Sequence, residues 1–213
     1  MTYAILISFI VAYLFGSINT SVIVGKMKGI DIRKKGSGNA GMTNTLRVIG
    51  KTAAAFVFVF DFLKTIIALF ASVIIAKMFV KEGGDIVEYC NYIAGFGAVL
   101  GHNFPIYFGF KGGKGIVSSI AVIIFLDWRI GLIIAAVSIL IMAVTKYVSL
   151  GSVVGAILYP IFVIAFNTDF SIATVPYYIA MSVVISVLAL YRHRANISRL
   201  LKGTESKLGQ KKE

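Results

Sequence analysis

The sequence has 213 residues, of which 58% are hydrophobic and only 14% are charged, and its mean hydropathy is +0.90. A soluble domain is typically about 45–50% apolar and about 25% charged, so this composition excludes an ordinary water-soluble globule and indicates an integral membrane protein. The net charge of +12 does not indicate a nucleic-acid partner, because that interpretation needs a soluble module with a basic face. The single cysteine, Cys90, excludes an intramolecular disulfide framework.

Apolar runs along the chain predict the membrane-spanning segments. A helical span takes about 17–25 residues, and five runs are long enough: 3–24, 52–76, 129–145, 149–166 and 174–191. Two shorter runs, 89–100 and 115–126, predict either two short spans or a re-entrant pair, and both options add an even number of crossings. The first run has no basic residue ahead of it, which indicates a retained helix rather than a cleaved signal. We therefore predict an all-α, polytopic transmembrane helix bundle of about seven helices.

Basic residues predict the orientation. Of the 21 Lys and Arg residues, 17 lie in segments on one predicted side, three lie on the other, and Lys64 lies within an apolar run. The 17 lie in 25–51, in 111–114, at 146 and after 191, and the three are Lys77, Lys81 and Arg129. The positive-inside rule then predicts an outside N-terminus and a cytoplasmic C-terminus. We expect one transmembrane domain over 1–201 and a polar cytoplasmic tail over 202–213.

Glycines, cations and hydroxyl groups are concentrated in four segments on the predicted inner side. Residues 33–47 read RKKGSGNAGMTNTLR, 101–115 contain GHNFP and FKGGKG, 149–152 read SLGS and 192–199 read RHRANISR. Glycines let the backbone fold tightly and expose consecutive N–H groups, which bind anions, while cations and hydroxyls add charge and donors. One such loop alone is also what chain turns and the positive-inside rule produce. Four on one face favour a phosphate-binding site.

The positions of the carboxylates limit the chemistry. None of the nine Asp and Glu residues lies in 32–60, 101–126 or 146–168. Magnesium held against phosphates needs carboxylate ligands, so we expect a cationic site with no metal and no cofactor. Residues 36–41 satisfy G-x-G-x-x-G, but a basic run precedes them and Asp61, about 20 residues later, lies within an apolar run. A dinucleotide site needs a preceding strand and is therefore not predicted.

Two polar pairs have helical spacing. Asp61 and Lys64 share a helix face inside the bilayer, where charged residues are candidates for function, although pairing with each other is the simpler interpretation. His193 and Asn196 share a face if the last helix continues past the membrane.

These motifs together resemble one family of enzymes. The patterns GSGNxGxTNxxR over 36–47, GHxFP with FKGGKG over 101–115, SLGS over 149–152 and HxxNIxRLxxGTE over 193–205 closely resemble the bacterial acyl-phosphate:glycerol-3-phosphate acyltransferases. The resemblance covers essentially the whole chain, with Met42 where the family usually has alanine.

The resemblance implies a seven-helix, multi-pass enzyme of the cell (inner or plasma) membrane, with its active site on the cytoplasmic face. It would move a fatty acyl group from acyl phosphate to the 1-hydroxyl of sn-glycerol 3-phosphate. The products would be lysophosphatidic acid and inorganic phosphate, in the first acylation step of phospholipid synthesis. Its partners would be these two substrates and the lipid bilayer, with no obligate protein partner.

The resemblance also implies site residues. Glycerol 3-phosphate would be held by a set that includes the predicted catalytic residues Ser37, Arg47, Lys114, His193 and Asn196, together with Lys111. The acyl-phosphate head would be surrounded by Asn39, Thr43, Gly112, Gly113 and Ser149 or Ser152. Gly38, Asn44 and His102 complete the predicted substrate-binding set. An organic-phosphate transporter or exchanger would also need a cationic site, but that class is expected to show internal repeats.

Single-cysteine labelling of intact cells tests the predicted orientation, after Cys90 has been replaced. A cysteine at Ser206, in the predicted cytoplasmic tail, is expected to react with an impermeant reagent only after the membrane is permeabilised, because basic flanking residues are retained inside. A cysteine within 77–84 is the control and is expected to react from outside. Preferential external labelling at position 206 would contradict the orientation.

Overall fold

The structure, a computed structural model, describes residues 1–79 and 85–210, and these ranges are helical with no strand. They contain nine α-helices: α1 (Thr2–Gly16), α2 (Thr20–Met27), α3 (Met42–Val48), α4 (Lys51–Phe79), α5 (Ile86–Asn103), α6 (Ile116–Leu126), α7 (Trp128–Thr145), α8 (Val148–Phe166) and α9 (Val175–Leu201). The predicted all-α class is confirmed, and the absence of a strand before 36–41 agrees with the rejection of a dinucleotide site. Lys81, counted above on the outer side, lies outside the described residues.

Within the described ranges, five helical segments are long and apolar enough to cross a bilayer. They are α1 with α2, then α4, α7, α8 and α9, and they coincide with the five long apolar runs. The two shorter runs form two helices: α5 extends beyond its run at both ends to 18 residues, while α6 has 11 residues. The seven-helix count and the orientation of the termini stay predictions.

The two faces of α4 are inverted relative to a helix of a soluble protein. Phe60 and Ile67 are 47% and 51% exposed, whereas Asp61 and Lys64 are 1% and 7% exposed. Water as the surrounding solvent favours the opposite arrangement, but in hydrocarbon the apolar side chains face the solvent and charged groups face the protein interior. The chain is therefore a multi-pass membrane protein.

The chain forms two compact units, Met1–Leu126 and Asp127–Glu213. In the first, α5 packs along α1, and α4 packs against both. Small residues allow this close approach, since a Cβ atom at Gly16 would overlap the carbonyl of Ala98, and one at Gly101 would overlap the carbonyl of Tyr13. Close contact between helix backbones through small residues is typical of membrane proteins.

The second unit is built from α7, α8 and α9, which pack in chain order. Gly151 and Gly155 of α8 lie against Ser138 of α7, as expected if these glycines serve helix packing. The segment after α9 returns to the same unit, where the backbone N–H of Leu208 donates to the carbonyl of Lys146 at 2.8 Å.

A short break separates α1 from α2 and shapes one end of the first unit. Asn19 caps α2, because its side-chain oxygen accepts a hydrogen bond from the backbone N–H of Val22 at 3.0 Å. Its amide nitrogen donates to the carbonyl of Ala40 at 3.2 Å. One side chain therefore joins the helix break to the glycine-rich loop that precedes α3.

Candidate functional site

The side chain of Asn44 holds the first glycine-rich loop in shape. Its Oδ1 accepts a hydrogen bond from the backbone N–H of Ser37 at 2.8 Å, and its Nδ2 donates to the carbonyls of Ile32 and Lys35, both at 3.0 Å. Gly36 is required next to it, because its φ is +59° and a Cβ there would overlap Asn44 Oδ1. Asn44 is 1% exposed, and its hydrogen bonds go to the backbone of the loop. We therefore interpret Asn44 as a residue that fixes the loop conformation.

Above this buried frame, the loop presents polar groups at its surface. Ser37, Gly38 and Arg47 are exposed, and Asn39 and Thr43 are half-buried. Thr43 and Arg47 are four residues apart on α3 and therefore lie on one helix face. The first loop thus offers hydroxyl, amide and guanidinium groups to a ligand.

The second loop meets the first at Gly113. The backbone N–H groups of Gly112 and Gly113 donate to the carbonyls of Asn103 and His102 at 3.2 and 3.1 Å. A Cβ at Gly113 would overlap His102 Nε2 and would lie 2.7 Å from the carbonyl oxygen of Ala40, so only glycine fits between the two loops. Of the two flanking lysines, Lys111 is exposed and Lys114 is half-buried.

A buried polar cluster supports the second loop. Lys64 Nζ lies 2.7 Å from Asp61 Oδ1, which confirms the predicted pairing. Nζ also lies 3.2 Å from His102 Nδ1 and 2.6 Å from the carbonyl oxygen of Ile18. The hydroxyl of Thr20 donates to Asp61 Oδ1 at 3.0 Å. His102 was predicted to bind substrate. It is 4% exposed, and its contact with Lys64 makes it a member of this buried cluster.

In the second unit, Glu205 gathers three donors. Its Oε1 accepts hydrogen bonds from the hydroxyl of Ser149 at 2.7 Å and from Nδ2 of Asn196 at 2.6 Å, and its Oε2 accepts one from Nε of Arg199 at 2.7 Å. Two of the predicted site residues, Ser149 and Asn196, are therefore brought together by a carboxylate that was not among the predictions. Glu205 lies in the predicted tail, yet it is buried.

The other predicted residues of the second unit are also buried. His193 and Asn196 are 3% and 8% exposed on one face of α9, which confirms the predicted shared face. His193 Nδ1 donates to the carbonyl of Ala189 at 2.8 Å, since a carbonyl oxygen can only accept. The hydroxyl of Ser152 donates to the carbonyl of Val148 at 3.0 Å.

Two carboxylates that lie outside the four glycine- and cation-rich segments contact predicted site residues. Asp61 Oδ1 lies 3.8 Å from His102 Nδ1, and Glu205 contacts Ser149 and Asn196. Asp61 reaches His102, and Glu205 reaches Ser149, through tertiary packing, whereas the contact between Glu205 and Asn196 joins residues nine positions apart. Within 1–79 and 85–210, no three His, Cys, Asp or Glu side chains gather as a candidate metal site.

The environment of Glu205 keeps it ionised. Burial opposes the charged form, but hydrogen bonds from Asn196, Ser149 and Arg199 outweigh burial, so the pKa of Glu205 lies below its ordinary value of 4.5. A carboxylate with a lowered pKa and three donors is a weak proton acceptor. Glu205 is therefore suited to holding Ser149 and Asn196 in place. The motif HxxNIxRLxxGTE, which ends on this residue, was the signal that could have identified it.

The chain is similar to known proteins over nearly its whole length. The family model described as glycerol-3-phosphate acyltransferase matches residues 6–203. A glycerol-3-phosphate acyltransferase of Clostridioides difficile is 45% identical over 212 residues, covering 99% of this chain and 98% of that protein. One from Shouchella clausii is 42% identical and covers 99% of each chain.

Two solved structures have the same fold. Both are crystal structures of PlsY (YgiH), an integral membrane glycerol 3-phosphate acyltransferase, and both are 36% identical to this chain. The glycerol 3-phosphate form superposes with a TM-score of 0.81 and covers 96% of each chain. The lysophosphatidic acid form has a TM-score of 0.78 and covers 96% of this chain and 95% of that one.

Replacing Glu205 by Gln is expected to destabilise the protein by about 1.5–3 kcal/mol at neutral pH, the worth of a charge-assisted hydrogen bond. Because the folded-state pKa of Glu205 is depressed, its contribution is fully present above the ordinary value of 4.5 and is lost as the pH falls through the lowered pKa. Thermal unfolding of the detergent-solubilised protein at pH values across this window measures the effect.

Glu88→Gln, at an exposed position of α5, is the matched control and should unfold like the wild type throughout. Equal stability of wild type and Glu205→Gln at neutral pH would contradict the role of Glu205.

Proposed function

The chain belongs to the glycerol-3-phosphate acyltransferase family, and we propose that it transfers a fatty acyl group from acyl phosphate to the 1-hydroxyl of sn-glycerol 3-phosphate. The proposed products are lysophosphatidic acid and inorganic phosphate, in the first acylation step of phospholipid synthesis. The observation that carries this proposal is the meeting of two glycine-rich cationic loops at Gly113. Their donors suit a reaction in which both substrates are phosphates.

The chemistry needs little beyond alignment and charge stabilisation. Acyl phosphate is already activated, because phosphate is a good leaving group. The 1-hydroxyl oxygen attacks the acyl carbonyl carbon, an ester C–O bond forms, and the bond between that carbon and the phosphate oxygen breaks. The hydroxyl proton passes to an oxygen of the acyl phosphate, so that no carboxylate base is required. Glu205, held ionised by three donors, is consistent with a structural task rather than proton transfer.

In the first unit, we assign the exposed donors to the substrates. Arg47 has a planar guanidinium that can contact a phosphate through two parallel hydrogen bonds, and both Arg47 and Ser37 are exposed. Lys114 and Lys111 flank Gly112 and Gly113 and supply further positive charge. We assign the buried Asn44 to holding the backbone of the first loop rather than to contacting substrate.

In the second unit, we assign His193 and Asn196 to glycerol 3-phosphate. Both lie on the buried face of α9, and a hydrogen bond helps to fix each side chain. Nδ1 of His193 is held by the carbonyl of Ala189, and Nδ2 of Asn196 is held by Glu205. Side chains fixed in this way lose little freedom when a ligand binds. Ser149, held by the same carboxylate, is assigned with Ser152 to the acyl-phosphate head.

We propose that the enzyme lies in the cell membrane as seven helices, with the N-terminus outside and the active site on the cytoplasmic face. The 17-to-3 distribution of basic residues supports this orientation. Glycerol 3-phosphate would then enter from the aqueous side, whereas the acyl chain of the donor would lie among the lipids. A transporter or exchanger of organic phosphates is the second candidate that the cationic loops allow.

Purified protein incubated with palmitoyl phosphate and glycerol 3-phosphate tests the proposed function. Release of inorganic phosphate and formation of lysophosphatidic acid are expected at equal rates, and both should persist in excess EDTA because the motif loops carry no carboxylates to bind Mg²⁺. Acyl-coenzyme A and acyl carrier protein should not serve as direct donors.

Transfer from acyl-coenzyme A in the absence of acyl phosphate would refute the proposed donor. Uptake of glycerol 3-phosphate into proteoliposomes without acylation would favour the transporter instead.

The substitution Arg47→Lys tests the assignment of Arg47 to a phosphate group. It keeps the positive charge but loses the planar fork, and one charge-assisted hydrogen bond is worth about 1.5–3 kcal/mol. We therefore expect kcat/KM for glycerol 3-phosphate to fall at least about tenfold, with a smaller change in KM for acyl phosphate. Initial rates over a matrix of both substrate concentrations separate the two effects.

Lys34→Gln, in the exposed basic run before the same loop, is the control and should leave both constants nearly unchanged. If the two variants behave alike, Arg47 only orients the protein in the membrane.

A further inference from the structure

The ammonium group of Lys64 has an acceptor for each of its three protons. Nζ donates to the carbonyl oxygen of Ile18 at 2.6 Å and to Asp61 Oδ1 at 2.7 Å, and it lies 3.2 Å from Nδ1 of His102. An ammonium group has three N–H donors and no acceptor. Lys64 is 7% exposed, so these three partners take the place of most of the water that would otherwise solvate its ammonium group.

These contacts define the protonation state of His102. Since Lys64 Nζ can only donate, Nδ1 of His102 must accept, and the proton of the neutral ring is then on Nε2. Asp61 keeps Lys64 in position and is itself held by the hydroxyl of Thr20 at 3.0 Å. The contact with Lys64 of α4 therefore fixes both the orientation and the tautomer of the His102 ring.

Nε2 of His102 faces the second glycine-rich loop. A Cβ at Gly113 would overlap Nε2, so the ring edge and the loop backbone are in direct contact. The carbonyl of His102 also accepts the N–H of Gly113. The position of Gly113, and with it that of Lys114, consequently depends on how His102 is held.

We propose that Lys64 and Asp61 are positioning residues for the acyl transfer, acting through the tautomer and orientation of His102 on the Gly112–Gly113 backbone. This inference rests on the proposed function for its kinetic consequence, but its structural part does not. If the buried ion pair only stabilised the helix bundle, a change in the tautomer of His102 would not alter catalysis. The two roles therefore differ in a measurable way.

The test is the double variant Asp61→Asn with Lys64→Met, which removes both charges together so that neither is left buried without a partner. Lys77→Met, at an exposed position of the same helix, is the matched control. Each protein is labelled with ¹⁵N-histidine, and the two imidazoles, the only ones in the chain, are observed by NMR at mildly alkaline pH.

The wild type is expected to show opposite tautomers, with the proton on Nε2 of His102 and on Nδ1 of His193, which donates to Ala189. Loss of one signal in a His193→Gln variant identifies which signal belongs to each ring. In the double variant, His102 should lose its single tautomer while His193 keeps its own. The same protein should show kcat/KM reduced about 10- to 100-fold, as expected when a reacting group is displaced by about 1 Å.

Three results would overturn the proposal: a folded double variant with wild-type kinetics, a kinetic loss without a change at His102, or a double variant that does not insert and fold. The last result would make the pair purely structural. If the wild type shows no acyl transfer but does show the expected tautomers, the proposed function fails while the positioning of His102 by Lys64 stands.

Discussion

A polar group buried in a membrane protein must find its partners within the protein, because the surrounding hydrocarbon offers none. Lys64 meets this constraint with three acceptors, and Glu205 meets it with three donors. Each of the two residues joins segments that are far apart along the chain. The buried contacts, rather than the loop sequences alone, therefore hold the functional groups of each unit in place.

The motif residues of the first unit separate into two physical classes. Asn44, His102 and Gly113 are buried, and they make hydrogen bonds or close contacts with other parts of the protein. These three residues form the frame of the two glycine-rich loops. Ser37 and Arg47 are exposed at the surface of the unit. In the first unit, burial therefore separates the motif residues that shape the loop backbone from those that lie at the surface.

Two carboxylates lie closer to motif residues in the structure than their positions in the sequence suggest. The loops are free of Asp and Glu in sequence, but Asp61 and Glu205 each reach a motif residue in space. Both accept hydrogen bonds from neighbouring donors, which favours an orienting role over proton acceptance. A reaction whose donor already carries a good leaving group is compatible with this arrangement, because alignment and charge stabilisation then supply most of the catalysis.

The sequence by itself determined the features that depend on local periodicity and on the thickness of the bilayer. It was sufficient for the all-α class, the five long apolar segments, the Asp61–Lys64 pair and the shared face of His193 and Asn196, because all of these follow from helical spacing. Only the tertiary structure decided that Glu205 leaves the apparent tail to join Ser149 and Asn196, and that Lys64 holds His102 against the second loop. The Lys64–His102 and Ser149–Glu205 contacts join residues 38 and 56 positions apart, and tertiary packing, which no local pattern encodes, sets them.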